Sequence, residues 1–156
     1  MSDVQIYTDG SSKGNPGPGG YGVILVAGQR KKEMSAGFRM TTNNRMELLA
    51  VIIGLEALRK DGLNVLVVSD SKYVVDAVEK GWLQNWQRRG WAKVKNPDLW
   101  KRLLPLLRKQ NVRFQWVKGH NNHPMNERCD RLAFGAASAS PTAIDQGFEA
   151  QQGGMF

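Results

Sequence analysis

The chain has 156 residues, of which 41% are hydrophobic and 23% charged, so it is sized for one globular domain with a full core. It contains no apolar run long enough to span a bilayer, no secretory signal pattern and only one cysteine, so we expect a cytoplasmic protein without an internal disulfide. The net charge of +8 favours a polyanionic partner.

The chain begins with an apolar strand, predicted for residues 4–8, that leads into Asp9 and a stretch rich in glycine and proline. An aspartate at a strand end can hold a cation at the rim of a sheet, although an Asp-Gly turn is the more ordinary use of this pair. The glycines at 17, 19 and 22 match G-x-G-x-x-G, but a strand and not a helix is predicted after them, which excludes a dinucleotide site. Strands predicted near residues 21–26 and 33–40 complete an antiparallel meander.

The first predicted helix starts within residues 41–44 and runs to about residue 60, with Asn44 and Glu47 at the spacing of a capping box. It is apolar on nearly all sides, which predicts burial. Glu47 is then either a first-turn acid favoured by the helix dipole or a second carboxylate that faces inward.

A second strand end carries an aspartate. The apolar run 64–68 predicts a strand covered on both faces, and it leads through Asp70 into a predicted helix of residues 72–80 that Gly81 closes. Asp70 could help to cap that helix. Two aspartates at strand ends of one sheet also indicate a ligand site, because ligands of open α/β sheets gather at one end of the strands.

Residues 80–102 combine basic and aromatic side chains, with seven Lys or Arg, one acid and four of the five tryptophans. Trp100 is predicted to lie in the core, on the apolar face of a helix that begins at Asn96-Pro97 and that Pro105 should kink or shorten. Trp82 and Trp86 are one helical turn apart beside two arginines, which predicts a nucleic-acid-binding face.

The last elements are a strand predicted for residues 112–117, with Trp116 on its alternating apolar face, a polar loop that contains His120, and a helix of residues 126–137. Glu127 and Asp130 share one face of that helix, either as a solvated acidic edge or as part of a site. Residues 139–156 contain no Lys or Arg and are rich in Ala, Ser, Gly and Gln, which predicts a flexible tail after a single domain of residues 1–138.

Four carboxylates, those of Asp9, Glu47, Asp70 and Asp130, form a candidate metal site in an otherwise basic protein. Oxygen ligands without a thiolate cluster favour Mg²⁺ or Mn²⁺. A rival zinc site would use His120, His123 and Cys129, which supply only three ligands and no Cys-x-x-Cys pair.

These motifs together resemble bacterial ribonuclease HI over about residues 4–137. The resemblance rests on their order along the chain: Asp9-Gly10-Ser11, the glycine-rich residues 14–22, Thr42-Asn43-Asn44-Arg45-Met46-Glu47, Ser69-Asp70-Ser71, residues 86–91, residues 117–120 and residues 126–130. Each motif is weak alone, but the combination is highly specific.

The resemblance implies an α/β ribonuclease H-like fold, with a five-stranded mixed sheet flanked by helices in three layers. It also implies an endonuclease that uses two Mg²⁺ ions, or Mn²⁺, to hydrolyse the RNA strand of RNA–DNA hybrids by in-line attack of water, leaving 5′-phosphate and 3′-hydroxyl ends. The four carboxylates would bind the metal ions. His120 would assist proton transfer or product release, and Glu127 would be an auxiliary acid.

The resemblance further assigns substrate contacts. Readers of the RNA 2′-hydroxyl would be Ser12, Asn15, Asn43 and Asn44, a DNA phosphate would be bound by Thr42, and the DNA strand would lie along Trp82 and Trp86. Independently of the resemblance, the basic stretch beside these tryptophans predicts that Arg88 and Arg89 bind phosphates of the hybrid. Because base edges are not needed, we expect little sequence preference. Lys72 stands where the bacterial pattern has glutamine, so we expect a phosphate contact there, and the short basic segment after Trp91 predicts a weaker grip on the hybrid.

Two other functions fit the sequence. One is another metal-dependent nuclease of the same fold, such as a resolvase-like or transposase-like enzyme, and the other is a hybrid-binding module without catalysis. We expect a monomer, and the sequence identifies no docking site for replication or repair proteins.

Overall fold

The computed structural model describes residues 2–119 and 123–153. In chain order the elements are β1 (Val4–Ser12), β2 (Gly17–Ala27), β3 (Arg30–Thr41), α1 (Asn43–Glu56), β4 (Asn64–Ser69), α2 (Lys72–Glu79), α3 (Trp82–Arg88), α4 (Pro97–Lys109), β5 (Asn111–Trp116), α5 (Pro124–Ser138) and α6 (Gln146–Gly153). None of the helices within those two ranges has the length and hydropathy needed to cross a membrane.

The five strands form one mixed sheet in the order β3-β2-β1-β4-β5, which confirms the predicted fold class. The first three strands pair antiparallel through short turns, as the predicted meander requires. β4 runs parallel to both β1 and β5. A parallel pair needs a crossover, which α1 supplies between β3 and β4, and α2, α3 and α4 supply between β4 and β5.

Helices cover both faces of the sheet. α1 packs on β1 and β2 and has α4 behind it, whereas α5 packs on the opposite face of β1, β2 and β3. Gly22 lies beneath α5, where a Cβ would overlap the backbone oxygen of Cys129. Glycine at this position therefore lets α5 lie close to the middle of the sheet.

The start and end of α1 differ from the prediction. Thr42 is the N-cap, because its extended backbone precedes the helix and its Oγ1 accepts a hydrogen bond from the Arg45 amide at 3.3 Å. Asn44 lies inside the helix, so the predicted capping box is wrong. The helix ends at Glu56, before residue 60, with Ala57 as its C-cap. The chain then turns at Gly62, whose φ of +74° is a left-handed conformation, before it enters β4.

Pro105 does not shorten α4, which continues to Lys109. The helix buries Leu99, Trp100 and Leu103, and this apolar face stabilises it enough to offset the backbone hydrogen bond that proline removes. Trp100 is fully buried, as predicted, and its Nε1 donates to the Tyr73 hydroxyl at 3.1 Å.

The segment after Ser138 also differs from the prediction of a flexible tail. It crosses the end of β3, where the Arg39 amide donates to the Ala143 carbonyl at 2.8 Å, and continues into α6. Asp145 and Phe148 are buried there, and Asp145 accepts a hydrogen bond from Thr41 Oγ1 at 2.6 Å. A composition poor in charge and rich in small residues indicated disorder, but these specific contacts hold the segment against the domain.

Candidate active site

The parallel pairing of β1 and β4 brings two predicted site residues together. Thr8 of β1 and Ser69 of β4 are register partners. Because the two strands run in the same direction, the residues that follow them, Asp9 and Asp70, lie at the same edge of the sheet. Glu47 comes from the second turn of α1, which crosses this edge. One carboxylate oxygen from each of the three residues lies within 4.8 Å of those from the other two.

Close approach between α1 and β1 depends on Gly10. A Cβ at this position would overlap the backbone of Met46 and Glu47. Gly10 therefore lets the Glu47 carboxylate reach the end of β1. The Gly10 amide also donates a hydrogen bond to Asp9 Oδ1 at 2.9 Å.

Two of the three carboxyl groups, those of Asp9 and Glu47, are buried, and Asp70 is partly exposed. Asp9 is 4% exposed and Glu47 is 6% exposed. Burial, reinforced by the charge of Asp70, raises the pKa of Asp9 to about 8, and burial together with the charge of Asp9 raises the pKa of Glu47. Glu47 is too far inside α1 to be a first-turn acid, which rules out the helix-dipole interpretation. A divalent cation would compensate these charges.

The donor set suits a hard divalent cation. All three groups offer carboxylate oxygens, and the buried Glu47 Oε2 has no hydrogen-bond partner among the described residues. Mg²⁺ and Mn²⁺ prefer such oxygens. Asp9, Glu47 and Asp70 could therefore hold a metal ion of this kind.

The rival zinc set is not supported. Cys129 is fully buried, and this burial raises the pKa of its thiol well above its usual range. His123 is the N-cap of α5, with Nδ1 accepting from the Asn126 amide at 3.4 Å, and its ring lies 5.7 Å from that of Tyr7. His120 lies outside the described residues.

The fourth predicted metal ligand, Asp130, is on α5 and partly exposed. Its negative charge contributes to the raised pKa of Asp9, so it lies near the cluster, but the group within 4.8 Å in the described chain contains only the other three carboxylates. Glu127 is one turn earlier on α5 and is also partly exposed. The proposed role of His120 remains a prediction, because that residue is not described.

The predicted readers of RNA lie on two neighbouring segments, the turn after β1 and the start of α1. Asn15 Oδ1 accepts a hydrogen bond from the Asn43 amide at 3.1 Å, which joins the two segments. Asn15, Asn43 and Asn44 are exposed, and Ser12 is half-buried at the end of β1. Thr42 caps α1 with its hydroxyl.

The predicted DNA-strand residues form an open groove on α3 with a volume of about 710 Å³, lined by Trp82, Asn85, Trp86, Arg88 and Arg89. The Trp82 and Trp86 rings are 6.5 Å apart, and Trp86 packs edge-on against the buried Trp100 at 5.3 Å. The core thus anchors one wall of the groove, whereas Trp82 remains 41% exposed.

One aromatic side chain near the carboxylates was not predicted there. Alternation along β5 placed Trp116 with the apolar residues, but it is 42% exposed. Its Nε1 donates to the Asp70 carbonyl at 3.0 Å, and the Lys72 ammonium lies 4.7 Å from its ring centroid. Trp116 lies at the very end of an edge strand, a position that alternation in the sequence could not indicate.

The mixed sheet and the carboxylates at its strand ends define the ribonuclease H-like class of α/β proteins. The sequence model of the RNase H family matches residues 1–138. The chain is 55% identical over 150 residues to the ribonuclease H of Desulforamulus reducens. The aligned region covers 93% of this chain and 94% of the relative. The chain therefore belongs to the ribonuclease H family, whose members are enzymes that hydrolyse phosphodiesters.

Solved structures agree with this assignment. LC9-RNase H1, described as a type 1 RNase H with the type 2 active-site motif, superimposes with a TM-score of 0.80 at 29% identity, covering 96% of this chain and 80% of that chain. LC11-RNase H1 in complex with an RNA/DNA hybrid gives a TM-score of 0.63 at 28% identity, covering 93% of this chain and 99% of that chain.

Proposed function

We propose that this enzyme is an endonuclease that hydrolyses the RNA strand of RNA–DNA hybrids at the carboxylate cluster. The observation that carries the proposal is the convergence of Asp9, Glu47 and Asp70 at one edge of the sheet, next to the start of α1. The similar LC11-RNase H1 was solved with an RNA/DNA hybrid, which supports the substrate class.

Asp9, Glu47, Asp70 and Asp130 would hold two Mg²⁺ ions, or Mn²⁺, together with substrate. Such ions would activate a water for in-line attack and stabilise the leaving oxygen, giving 5′-phosphate and 3′-hydroxyl ends. Three of these carboxylates are already close together, because the two strand ends hold Asp9 and Asp70 and α1 holds Glu47. His120, in the polar loop, would assist proton transfer or product release, and Glu127, on α5, would be an auxiliary acid near the site.

Recognition of the hybrid would combine two surfaces. Ser12, Asn15, Asn43 and Asn44 offer short polar groups for 2′-hydroxyls, which only the RNA strand carries. The groove on α3 offers exposed tryptophan and arginine for the sugars and phosphates of the DNA strand, with Thr42 binding a further DNA phosphate. Neither surface needs base edges, so cleavage would have little sequence preference. Monomeric state and cytoplasmic location remain predictions.

The test is cleavage of labelled RNA–DNA hybrid, duplex DNA and duplex RNA in Mg²⁺. We expect the wild type to cut only the RNA of the hybrid and Asp9→Asn to lose this activity. Asp61→Asn, an exposed acid at the opposite end of β4, is the matched control and should cut like the wild type. Cleavage of duplex DNA would indicate another nuclease of the fold, and hybrid binding without cleavage would indicate a binding module.

A further inference from the structure

We propose that Trp116 and Lys72 act together as a positioning unit beside the carboxylate cluster. The indole N–H of Trp116 fixes the backbone of Asp70, and its ring holds the Lys72 ammonium for a phosphate next to the scissile one on the strand that is cut. This inference rests on the proposed function, and it adds Trp116 to the residues that serve the site.

The first contact concerns the metal-binding carboxylate. Trp116 is the register partner of Ser69, so β5 ends beside the point at which β4 leads into Asp70. The Trp116 Nε1–H donates to the Asp70 carbonyl at 3.0 Å. This bond fixes the peptide group immediately after the Asp70 side chain and so limits the directions in which its carboxylate can point.

The backbone on either side of Asp70 is also held. The Val117 amide donates to the Ser69 carbonyl at 3.0 Å, and the Ser71 amide donates to Ser69 Oγ at 3.0 Å. Gly119 packs against the carboxylate itself, since a Cβ there would lie 2.8 Å from Asp70 Oδ2. Trp116, Val117 and Gly119, at and just after the end of β5, therefore hold the backbone and side chain of Asp70 in place.

The second contact concerns charge. The Lys72 ammonium lies 4.7 Å from the Trp116 ring centroid, within the range of a cation–π interaction. Lys72 is exposed at the first position of α2, two residues after Asp70. An ammonium on a ring face keeps N–H donors for a second partner, which must therefore be a hydrogen-bond acceptor. The positive charge favours an anion such as a phosphate. A phosphate that approaches the carboxylates meets their negative charge, which this cation offsets.

The two roles can be separated with two variants. Lys72→Met removes the charge but keeps the aliphatic stem. Trp116→Phe keeps a ring for Lys72 but removes the N–H that binds the Asp70 carbonyl. Lys109→Met, an exposed lysine in the last turn of α4, is the matched control for the loss of one charge.

The affinity of each variant for RNA–DNA hybrid is measured over a range of salt concentrations. EDTA is present, so metal-dependent cleavage cannot occur. Lys72→Met should lower the slope of log affinity against log salt by about 0.9, the value for one phosphate contact, and Lys109→Met should leave it unchanged. Trp116→Phe should bind hybrid within about twofold of the wild type, because the ring remains.

Affinity for Mn²⁺ alone is measured by electron paramagnetic resonance. Trp116→Phe should weaken Mn²⁺ binding about 3–10-fold, the effect of one lost hydrogen bond, whereas Lys72→Met should not weaken it. Thermal unfolding of each variant establishes that it is folded. If Trp116→Phe is not folded, Trp116→Leu, which also lacks a side-chain donor, replaces it in the Mn²⁺ assay.

Equal salt slopes for Lys72→Met and the wild type would overturn the phosphate contact. Wild-type Mn²⁺ affinity in Trp116→Phe would overturn the positioning role. Both assays work without catalysis, so they are distinct from the failure of the proposed function, which would appear as intact hybrid in the wild-type cleavage assay.

Discussion

Arg45 and Asp145 are 100 residues apart in the chain, yet Arg45 Nε donates to Asp145 Oδ2 at 2.8 Å with both side chains almost fully buried. Arg45 also pairs with Asp98 at the start of α4 through a 2.7 Å contact. Burial alone would lower the pKa of Arg45, but the hydrogen bonds that its guanidinium donates to the Asp98 and Asp145 carboxylates raise it, so the guanidinium stays charged. The residue thereby ties the C-terminal segment and α4 to the turn of α1 that precedes Glu47.

We predict that Asp145→Ala lowers the free energy of unfolding by about 2–4 kcal/mol, because it leaves a buried guanidinium with only Asp98 to compensate it. Urea denaturation measures this change. Glu149→Ala is the matched control, since its pair with Arg39 is more exposed and should contribute much less to stability. Equal effects of the two substitutions would contradict a special role for the buried pair.

The Arg45–Asp145 pair also illustrates which parts of the structure the sequence could not predict. The strand ends at Asp9 and Asp70 were predictable, because apolar runs mark the strands and parallel strands share an edge. Whether Glu47 is a first-turn acid depends on the residue that caps α1, which local sequence left ambiguous. The Arg45–Asp145 contact leaves no local pattern at all, so composition alone indicated a flexible tail.

Trp116 illustrates a different limit. Alternation along β5 correctly predicted burial of Phe114 on the same face. Alternation reports the face of a strand, but it does not report how far the covering layer extends along that strand. At the end of this edge strand the covering layer stops, and the indole instead reaches the backbone of Asp70.

The raised pKa of Asp9 predicts that, in metal-free protein, its contribution to the free energy of unfolding decreases as the pH rises. The Asp9 carboxyl retains its proton in the folded state up to about pH 8, whereas in the unfolded chain it ionises near 3.8. Its contribution to the free energy of unfolding is therefore fully present below pH 3.8 and is lost as the pH rises to about 8. Asp9→Asn removes this dependence.

In EDTA, Asp9→Asn should gain little stability over the wild type near pH 4 and about 2–4 kcal/mol near pH 8. Urea denaturation at several pH values measures the difference, with Asp61→Asn as the exposed control that should gain nothing at either pH. A gain for Asp9→Asn that does not change with pH would mean that ionisation of Asp9 is not its cause.

The groove on α3 predicts a salt-dependent contribution to hybrid binding. Arg88→Ala combined with Arg89→Ala should weaken binding and lower the slope of log affinity against log salt by up to about 1.8, the value for two phosphate contacts. Filter binding in EDTA measures the slope. The same double change at Arg108 and Lys109, in the last turn of α4, is the control, and an equal loss there would indicate a general effect of net charge.

Gly10 is the position at which a single methyl group should disturb both the fold and the site. A Cβ would overlap the backbone of Met46 and Glu47, so Gly10→Ala must push α1 away from the end of β1. We predict a loss of about 1–3 kcal/mol in the free energy of unfolding, typical of overpacking, and weaker Mn²⁺ binding because Glu47 moves away from Asp9.

Gly135→Ala is the matched control for this substitution. A Cβ at Gly135 meets no atom within 4 Å, and the residue lies inside α5, where alanine favours the helix by about 0.5–1 kcal/mol. We therefore expect Gly135→Ala to be neutral or stabilising and to bind Mn²⁺ like the wild type. If Gly10→Ala binds Mn²⁺ equally well, then the close contact between α1 and β1 is not what holds Glu47 beside Asp9.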